Sequence, residues 1–129
     1  MKMKECKKFV NFCKTYLNVP KAKVKIKIDK EFHAEDACVH HKKGHKYIIT
    51  LGSIDLMDNF VYMILAHEMT HVKQFELDGL ELYYKGRKSR FNGQIYDIDL
   101  DNDSEYFSAP WEVEARINEV PITYYYNNR

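Results

Sequence analysis

The chain has 129 residues, a formal net charge of +1, 45% hydrophobic residues and 30% charged residues. This length suits one domain, and the composition excludes a disordered chain, while no apolar run is long enough to cross a membrane. The three cysteines show no C-x-x-C spacing, which argues against a disulfide framework and against a cysteine-based zinc site. We therefore expect one domain over residues 1–129, with reduced thiols, in the cytoplasm.

The charge is unevenly divided along the chain. Residues 1–50 contain 13 lysines and 5 acidic residues, whereas residues 51–129 contain 7 basic and 14 acidic residues. A basic half can contact nucleic acid, but a lysine-rich surface exposed to solvent is the more common explanation. Nucleic acid is therefore kept as a secondary partner class, behind a protein or peptide.

The first half predicts a helix followed by a small sheet. Residues 2–17 repeat apolar side chains at three- and four-residue steps, which is typical of an amphipathic helix rather than of a signal peptide. Residues 22–28 alternate lysine with Ala, Val and Ile, and this predicts a strand with one buried and one wet face. Residues 37–41 and 46–51 predict a hairpin that turns at Gly44.

The second half predicts two helices separated by a long loop. An apolar stripe predicts a helix over residues 55–78. Residues 80–109 predict a loop with one short strand near residues 94–98. A second helix begins at Pro110 and is interrupted or kinked near Pro121. The elements together predict an α+β fold, in which a small twisted sheet packs on an N-terminal helix and on the two later helices.

The strongest motif is His67-Glu68-Met69-Thr70-His71, which has the pattern H-E-x-x-H. Residues four apart on a helix are neighbours on one face, so both imidazoles can reach one metal ion. Glu68 lies about 100° further round the helix, where it can act as a base on a metal-bound water. Histidine ligands with an open position suit zinc, which lowers the pKa of bound water to about 7. The motif therefore predicts a Zn²⁺ site with Glu68 as the catalytic residue.

A third protein ligand is required, and no histidine follows His71. Two carboxylates on the second helix, Glu112 and Glu114, are the better candidates, and the small Ala115 beside Glu114 permits close approach of the two helices. Glu112 and Glu114 lie about 200° apart around a helix, so only one of them can face the metal. The less favoured candidates are four histidines in the predicted sheet region: His33, His40, His41 and His45.

The motif followed by Glu114-Ala115-x-x-Asn118 resembles the gluzincin branch of zinc metallopeptidases, in particular its small phage and bacterial members. In that branch a Glu on a later helix is the third ligand, often followed by Ala, with an Asp four residues on, where this chain has Asn118. The resemblance covers about residues 46–118 and implies a zincin-like fold. It implies His67, His71 and Glu114 as zinc ligands and Glu68 as general base.

The resemblance also implies hydrolysis of a peptide bond, with the protein or peptide substrate lying along residues 46–51 as an edge strand. Such a reaction needs a group that stabilises the oxyanion, and the sequence offers four candidates without separating them: Tyr83, Tyr84, Arg90 and Tyr106. The alternative function is a non-catalytic, metal-binding module that interacts with protein or nucleic acid. The expected location is the cytoplasm of a bacterial or phage-infected cell, without membrane contact.

Overall fold

A computed structural model describes all 129 residues and has an α+β fold with four helices and two small sheets. This confirms the α+β class expected from the sequence. None of the helices combines the length and the apolar character that a membrane span requires. The elements in chain order are α1 (Met3–Tyr16), β1 (Lys23–Ile28), β2 (Ala37–Lys43), β3 (Lys46–Leu51), α2 (Asp58–Leu77), β4 (Lys88–Phe91), β5 (Gln94–Asp97), α3 (Asp103–Ser108) and α4 (Pro110–Asn127).

The larger sheet has the strand order β1-β3-β2, with β1 parallel and β2 antiparallel to β3. Gly44 has φ +56°, the left-handed conformation that the tight turn between β2 and β3 needs. This turn pairs β2 with one side of β3, and β1 pairs with the other side. The edge strand beside the helices is therefore β2, and the expectation that residues 46–51 form the edge is wrong.

The core lies between one face of this sheet and the helices α1, α2 and α4. Along β3, Tyr47, Ile49 and Leu51 are buried, while the residues between them are more exposed. The alternation expected for β1 is confirmed, because Val24 and Ile26 contact the core while the lysines beside them are exposed. The other face of the sheet is consequently left to solvent.

The second half differs from the sequence expectation in two places. The strand expected near residues 94–98 is present as β5, but residues 80–109 also contain β4, which pairs with β5, and the short helix α3, before which the Asn102 side chain accepts a hydrogen bond from the Glu105 amide. The helix α4 continues through Pro121. A proline inside a helix removes one backbone hydrogen bond and crowds the carbonyl four residues before it, at a cost of about 3 kcal/mol. Here Ile122 and Tyr126, buried beyond the proline, hold the last turns against the core.

Candidate metal centre

The helix α2 carries His67 and His71 one turn apart, with their ring centroids 5.0 Å from each other. Since α2 packs on the sheet and along α4, His71 is buried and His67 is half-buried. Between them, Glu68 is also buried, with 7% of its surface exposed. The helical spacing expected from the motif therefore places two imidazoles and one carboxylate in the groove between α2 and α4.

Glu112, in the first turn of α4, completes a three-residue group. Its Oε1 lies 3.1 Å from His67 Nε2 and its Oε2 lies 3.1 Å from His71 Nε2. One ligand atom from each of the three residues lies within 4.8 Å of the others. Ligands placed about 2.0–2.1 Å from a tetrahedral zinc ion lie roughly 3.3 Å from one another. The group of His67, His71 and Glu112 could therefore hold a metal ion.

Glu114 does not join the histidines. Its Oε2 lies 2.8 Å from Lys73 Nζ, and its Oε1 accepts a 2.8 Å hydrogen bond from Gln74 Nε2. The geometry thus replaces Glu114 by Glu112 as the third candidate ligand, and only one of the two faces the histidines, as their helical separation requires. The sequence contained one signal for this choice. Lys73 on α2 can form an ion pair with one of the two carboxylates, which leaves the other to face the histidines.

The second ring nitrogen of each histidine also has a partner. Glu119 Oε2 lies 2.7 Å from His67 Nδ1, and Gln74 Oε1 lies 2.8 Å from His71 Nδ1. The Gln74 amide is itself fixed, because its Nε2 donates to the Trp111 carbonyl at 2.9 Å. Partners of this kind fix the tautomer and the orientation of metal-binding imidazoles. The sequence reasoning missed both residues.

Asn118, which stands four residues after Glu114 where the gluzincin branch has an Asp, does not reach an imidazole. Its Nδ2 lies 3.4 Å from Thr70 Oγ1. The adjacent residue Glu119 contacts His67 instead. Glu112 and Glu119 are seven residues apart and so share one face of α4. This spacing, combined with Glu112 as the ligand, is the signal that could have found Glu119.

The charges of the group stabilise one another. Burial lowers the pKa of His67, but the hydrogen bonds to Glu112 and Glu119 and the charge of Glu68 outweigh it and raise the pKa to about 9. Burial raises the pKa of Glu112, but the two histidines outweigh it and lower the pKa to about 2. Glu112 also raises the pKa of His71, against the effect of its burial. Without a metal, the carboxylate therefore pairs with the protonated His67 imidazole, and a divalent cation can take the place of that proton.

Glu68 has a different environment. Its burial raises the pKa of its carboxyl group, and the nearby histidine charges only partly offset this effect. A carboxylate with a raised pKa takes up a proton more readily at neutral pH. Glu68 can therefore act as a proton acceptor beside the His67, His71 and Glu112 group.

Among the four candidates for oxyanion stabilisation, the structure brings only Tyr106 to the group. Tyr106 lies on α3 and lines the same cavities as Glu68 and Glu112. Tyr106 is partly exposed, but desolvation on the side that faces the group and the neighbouring carboxylates raise the pKa of its phenol, which therefore stays protonated and can donate a hydrogen bond. The other three lie in or beside the β4–β5 hairpin, where the Arg90 guanidinium stacks 4.1 Å from the Tyr84 ring centroid and the Tyr83 amide donates to Ser89 Oγ.

Two cavities flank the group along β2. The first, of about 330 Å³, lies between α2, α3 and α4 and includes Phe107 and Arg116 in its walls. The second, of about 120 Å³, is mainly apolar and includes Leu82 and Leu100. Four residues line both cavities, so the candidate metal centre lies where the cavities meet: Ala37, Glu68, Tyr106 and Glu112.

The upstream histidines lie outside this group. His41 Nε2 lies 2.7 Å from the Gly44 carbonyl oxygen, and His45 Nδ1 lies 2.8 Å from Glu76 Oε1. The candidate centre therefore consists of residues from α2 and α4, with a phenol from α3 at its side. Comparisons of the chain with protein-family models, with curated proteins and with solved structures find no match.

Proposed function

We propose that the protein is a zinc-dependent peptidase of the zincin type. The observation that carries this proposal is the convergence of His67 Nε2, His71 Nε2 and the Glu112 carboxylate, with buried Glu68 beside them. Structural zinc sites are usually closed by four protein ligands, whereas catalytic sites have three and keep one open position. A three-ligand group that opens onto two cavities favours the catalytic kind.

Zinc held by His67, His71 and Glu112 would supply a Lewis acid and a bound water of lowered pKa. Glu68 would accept the proton of the attacking water on its carboxylate and deliver that proton to the leaving amine. Its raised pKa suits this exchange, because the carboxyl group must both take up and release a proton. The Tyr106 hydroxyl would donate a hydrogen bond to the carbonyl oxygen of the substrate.

The substrate class is an extended segment of a protein or peptide. The edge strand β2 pairs with β3 on one side only, so its other side keeps free backbone groups. An extended peptide can add to such an edge by backbone hydrogen bonds, with its side chains in neighbouring pockets. The two cavities along β2 would receive side chains on either side of the cleaved bond.

The test separates metal binding from catalysis. We expect one zinc per native chain by elemental analysis, lost in Glu112→Gln and retained in Glu114→Gln, the matched control two residues away. We expect Glu68→Gln to keep zinc and to lose hydrolysis of a quenched-fluorescence peptide library. A native protein that takes up no zinc would overturn the proposal. Zinc uptake without any hydrolysis by the native chain would favour the non-catalytic, metal-binding alternative.

A further inference from the structure

The outward face of the larger sheet carries a charge that the candidate metal centre does not use. The strands β1, β2 and β3 contain six lysines and no Asp or Glu. Lys23, Lys25 and Lys27 alternate along β1 and are all exposed, and the register places Lys23 opposite Lys46 of β3. We name as the lysine face the surface formed by Lys23, Lys25, Lys27, Lys42 and Lys46.

The lysine face has no internal counter-charge. None of its five lysines takes part in an ion pair of the protein. Four of them surround a shallow depression of about 370 Å³ with no acidic residue in its walls: Lys23, Lys25, Lys42 and Lys46. Like charges held this close repel one another, and a polyanion on this surface would relieve the repulsion.

The spacing of the lysines favours a linear polyanion. Alternate residues of a strand lie about 6.6 Å apart and neighbouring strands about 4.8 Å apart. The row on β1 therefore spans roughly 13 Å, with a second row beginning at Lys46. Double-stranded DNA carries one negative charge per about 1.7 Å of its axis. The three lysines of the row can thus each reach a phosphate of one duplex.

The chemistry of the face selects among polyanions. Tyr47 is the only Phe, Tyr or Trp of the three strands and is buried on the opposite face, so none of these large rings is available to stack on unpaired bases, and His40 is the one exposed ring. Ile28 is the only large exposed hydrophobic residue of the three strands, and it points to the inward side of the sheet with Val24 and Ile26. The lysine face therefore lacks the apolar anchors that a lipid surface requires. Lysine binds phosphate as a point charge, and contacts to phosphate carry no sequence information.

We propose that the lysine face binds the phosphate backbone of double-stranded DNA without sequence preference. The face lies on the side of the sheet opposite to the packed helices, whereas the candidate metal centre lies among those helices. DNA on the lysine face would therefore leave the cavities along β2 open. DNA binding by the lysine face is independent of the proposed peptidase activity, because the lysine face shares no residue with the candidate metal centre.

The test measures binding of a short fluorescent DNA duplex of mixed sequence by anisotropy at several salt concentrations. The variant combines Lys23→Gln, Lys25→Gln and Lys27→Gln. Three phosphate contacts steepen the fall of log affinity with log salt concentration by about 2.7. Between 50 and 200 mM salt, a fourfold change, we therefore expect the native protein to lose about 40-fold more affinity than this variant. The same measurement on Glu68→Gln should give native affinity, which keeps this test separate from the proposed catalysis.

The matched control removes three exposed or partly exposed lysines elsewhere, by Lys14→Gln, Lys85→Gln and Lys88→Gln. It should keep the native salt dependence, and circular dichroism should show that both triple variants are folded. Equal weakening by the control would overturn the proposal, because charge alone would then explain the binding. Tighter binding of single-stranded DNA, or binding of phosphatidylserine-rich vesicles in place of the duplex, would overturn it as well.

Discussion

Each histidine of the candidate metal centre uses both of its ring nitrogens. The Nε2 atoms face Glu112, while His67 Nδ1 faces Glu119 and His71 Nδ1 faces Gln74. In the neutral imidazole an acceptor at Nδ1 keeps the proton there and leaves the Nε2 lone pair free for a metal. The proposed ligand set therefore depends on two residues that would not touch the metal.

We expect Glu119→Ala to weaken zinc binding by about 10–100-fold, because His67 loses the acceptor that fixes its ring. The measurement is competition for zinc with a chelating dye. Asn118→Ala is the control, since Asn118 is the neighbouring residue on α4 and contacts Thr70 rather than an imidazole. Unchanged affinity in Glu119→Ala would show that Glu119 does not position His67.

The residues of the motif were predictable because their relation is local. A spacing of four residues along one helix places His67 and His71 side by side, whatever surrounds the helix. The choice between Glu112 and Glu114 was not predictable in this way, because it depends on how α4 is rotated against α2. In the structure the burial of Trp111 and Ala115 sets that rotation, and it turns Glu112 inward.

At the scale of elements, the sequence located the strands of the larger sheet with small errors, but it did not predict their order. Alternating residues identified β1 and β3, because burial on one face imposes a period of two. No local pattern states which side of β3 receives β1. The sequence located β5 but missed β4 and α3, because β4 is short and depends on the small cluster around Leu80, Phe91 and Trp111, while α3 is short and has no buried residue.

Gly52, which follows β3, shows how closely the segments of this sheet approach. A Cβ atom at Gly52 would lie 1.8 Å from the carbonyl oxygen of His33, in the segment that leads into β2. Because backbone cannot move aside as a side chain can, we expect Gly52→Ala to lower the free energy of unfolding by about 2–4 kcal/mol. Urea denaturation measures this change.

Ser53→Ala is the control for this prediction, because it alters the next residue without adding atoms near His33. It removes the 2.9 Å hydrogen bond from the Asp55 amide, so we expect a loss of about 1 kcal/mol or less. A Gly52→Ala protein as stable as the native one would contradict the close approach of these two segments.

At the scale of the whole molecule, the uneven charge of the sequence becomes a division in space. Lysines of the first half cover the outward face of the sheet, and carboxylates of the second half surround the groove between α2 and α4. The sequence predicted the asymmetry but not its placement, since charge counts carry no information about which faces are left open.

The charges in the groove make the stability of the metal-free protein depend on pH. The pKa of His67 rises from its usual 6.5 to about 9, so its contribution is complete below pH 6.5 and is lost as the pH rises through 9. The pKa of Glu112 falls from 4.5 to about 2, so its contribution is present above pH 4.5 and is lost as the pH falls through 2. Both contributions to the free energy of unfolding are therefore complete between pH 4.5 and 6.5.

We therefore expect the melting temperature of the metal-free protein to fall between pH 6.5 and pH 9, measured by thermal denaturation with a chelator present. Added zinc should stabilise the protein increasingly over the same range, because fewer protons compete for the imidazoles. The Glu112→Gln variant should show a flatter dependence. A metal-free melting temperature that rises toward pH 9 would contradict the proposed pairing.

The short helix α3 has no buried residue, although it supplies Tyr106 to both cavities. Its ties to the remainder are peripheral, such as the Arg116 guanidinium 3.6 Å from the Phe107 ring centroid. An element with so little buried surface unfolds locally at a small free energy, far below that of α2. Amide hydrogen exchange should therefore be rapid in α3 and slow in α2, and the first cavity, which α3 borders, would widen whenever this short helix opens.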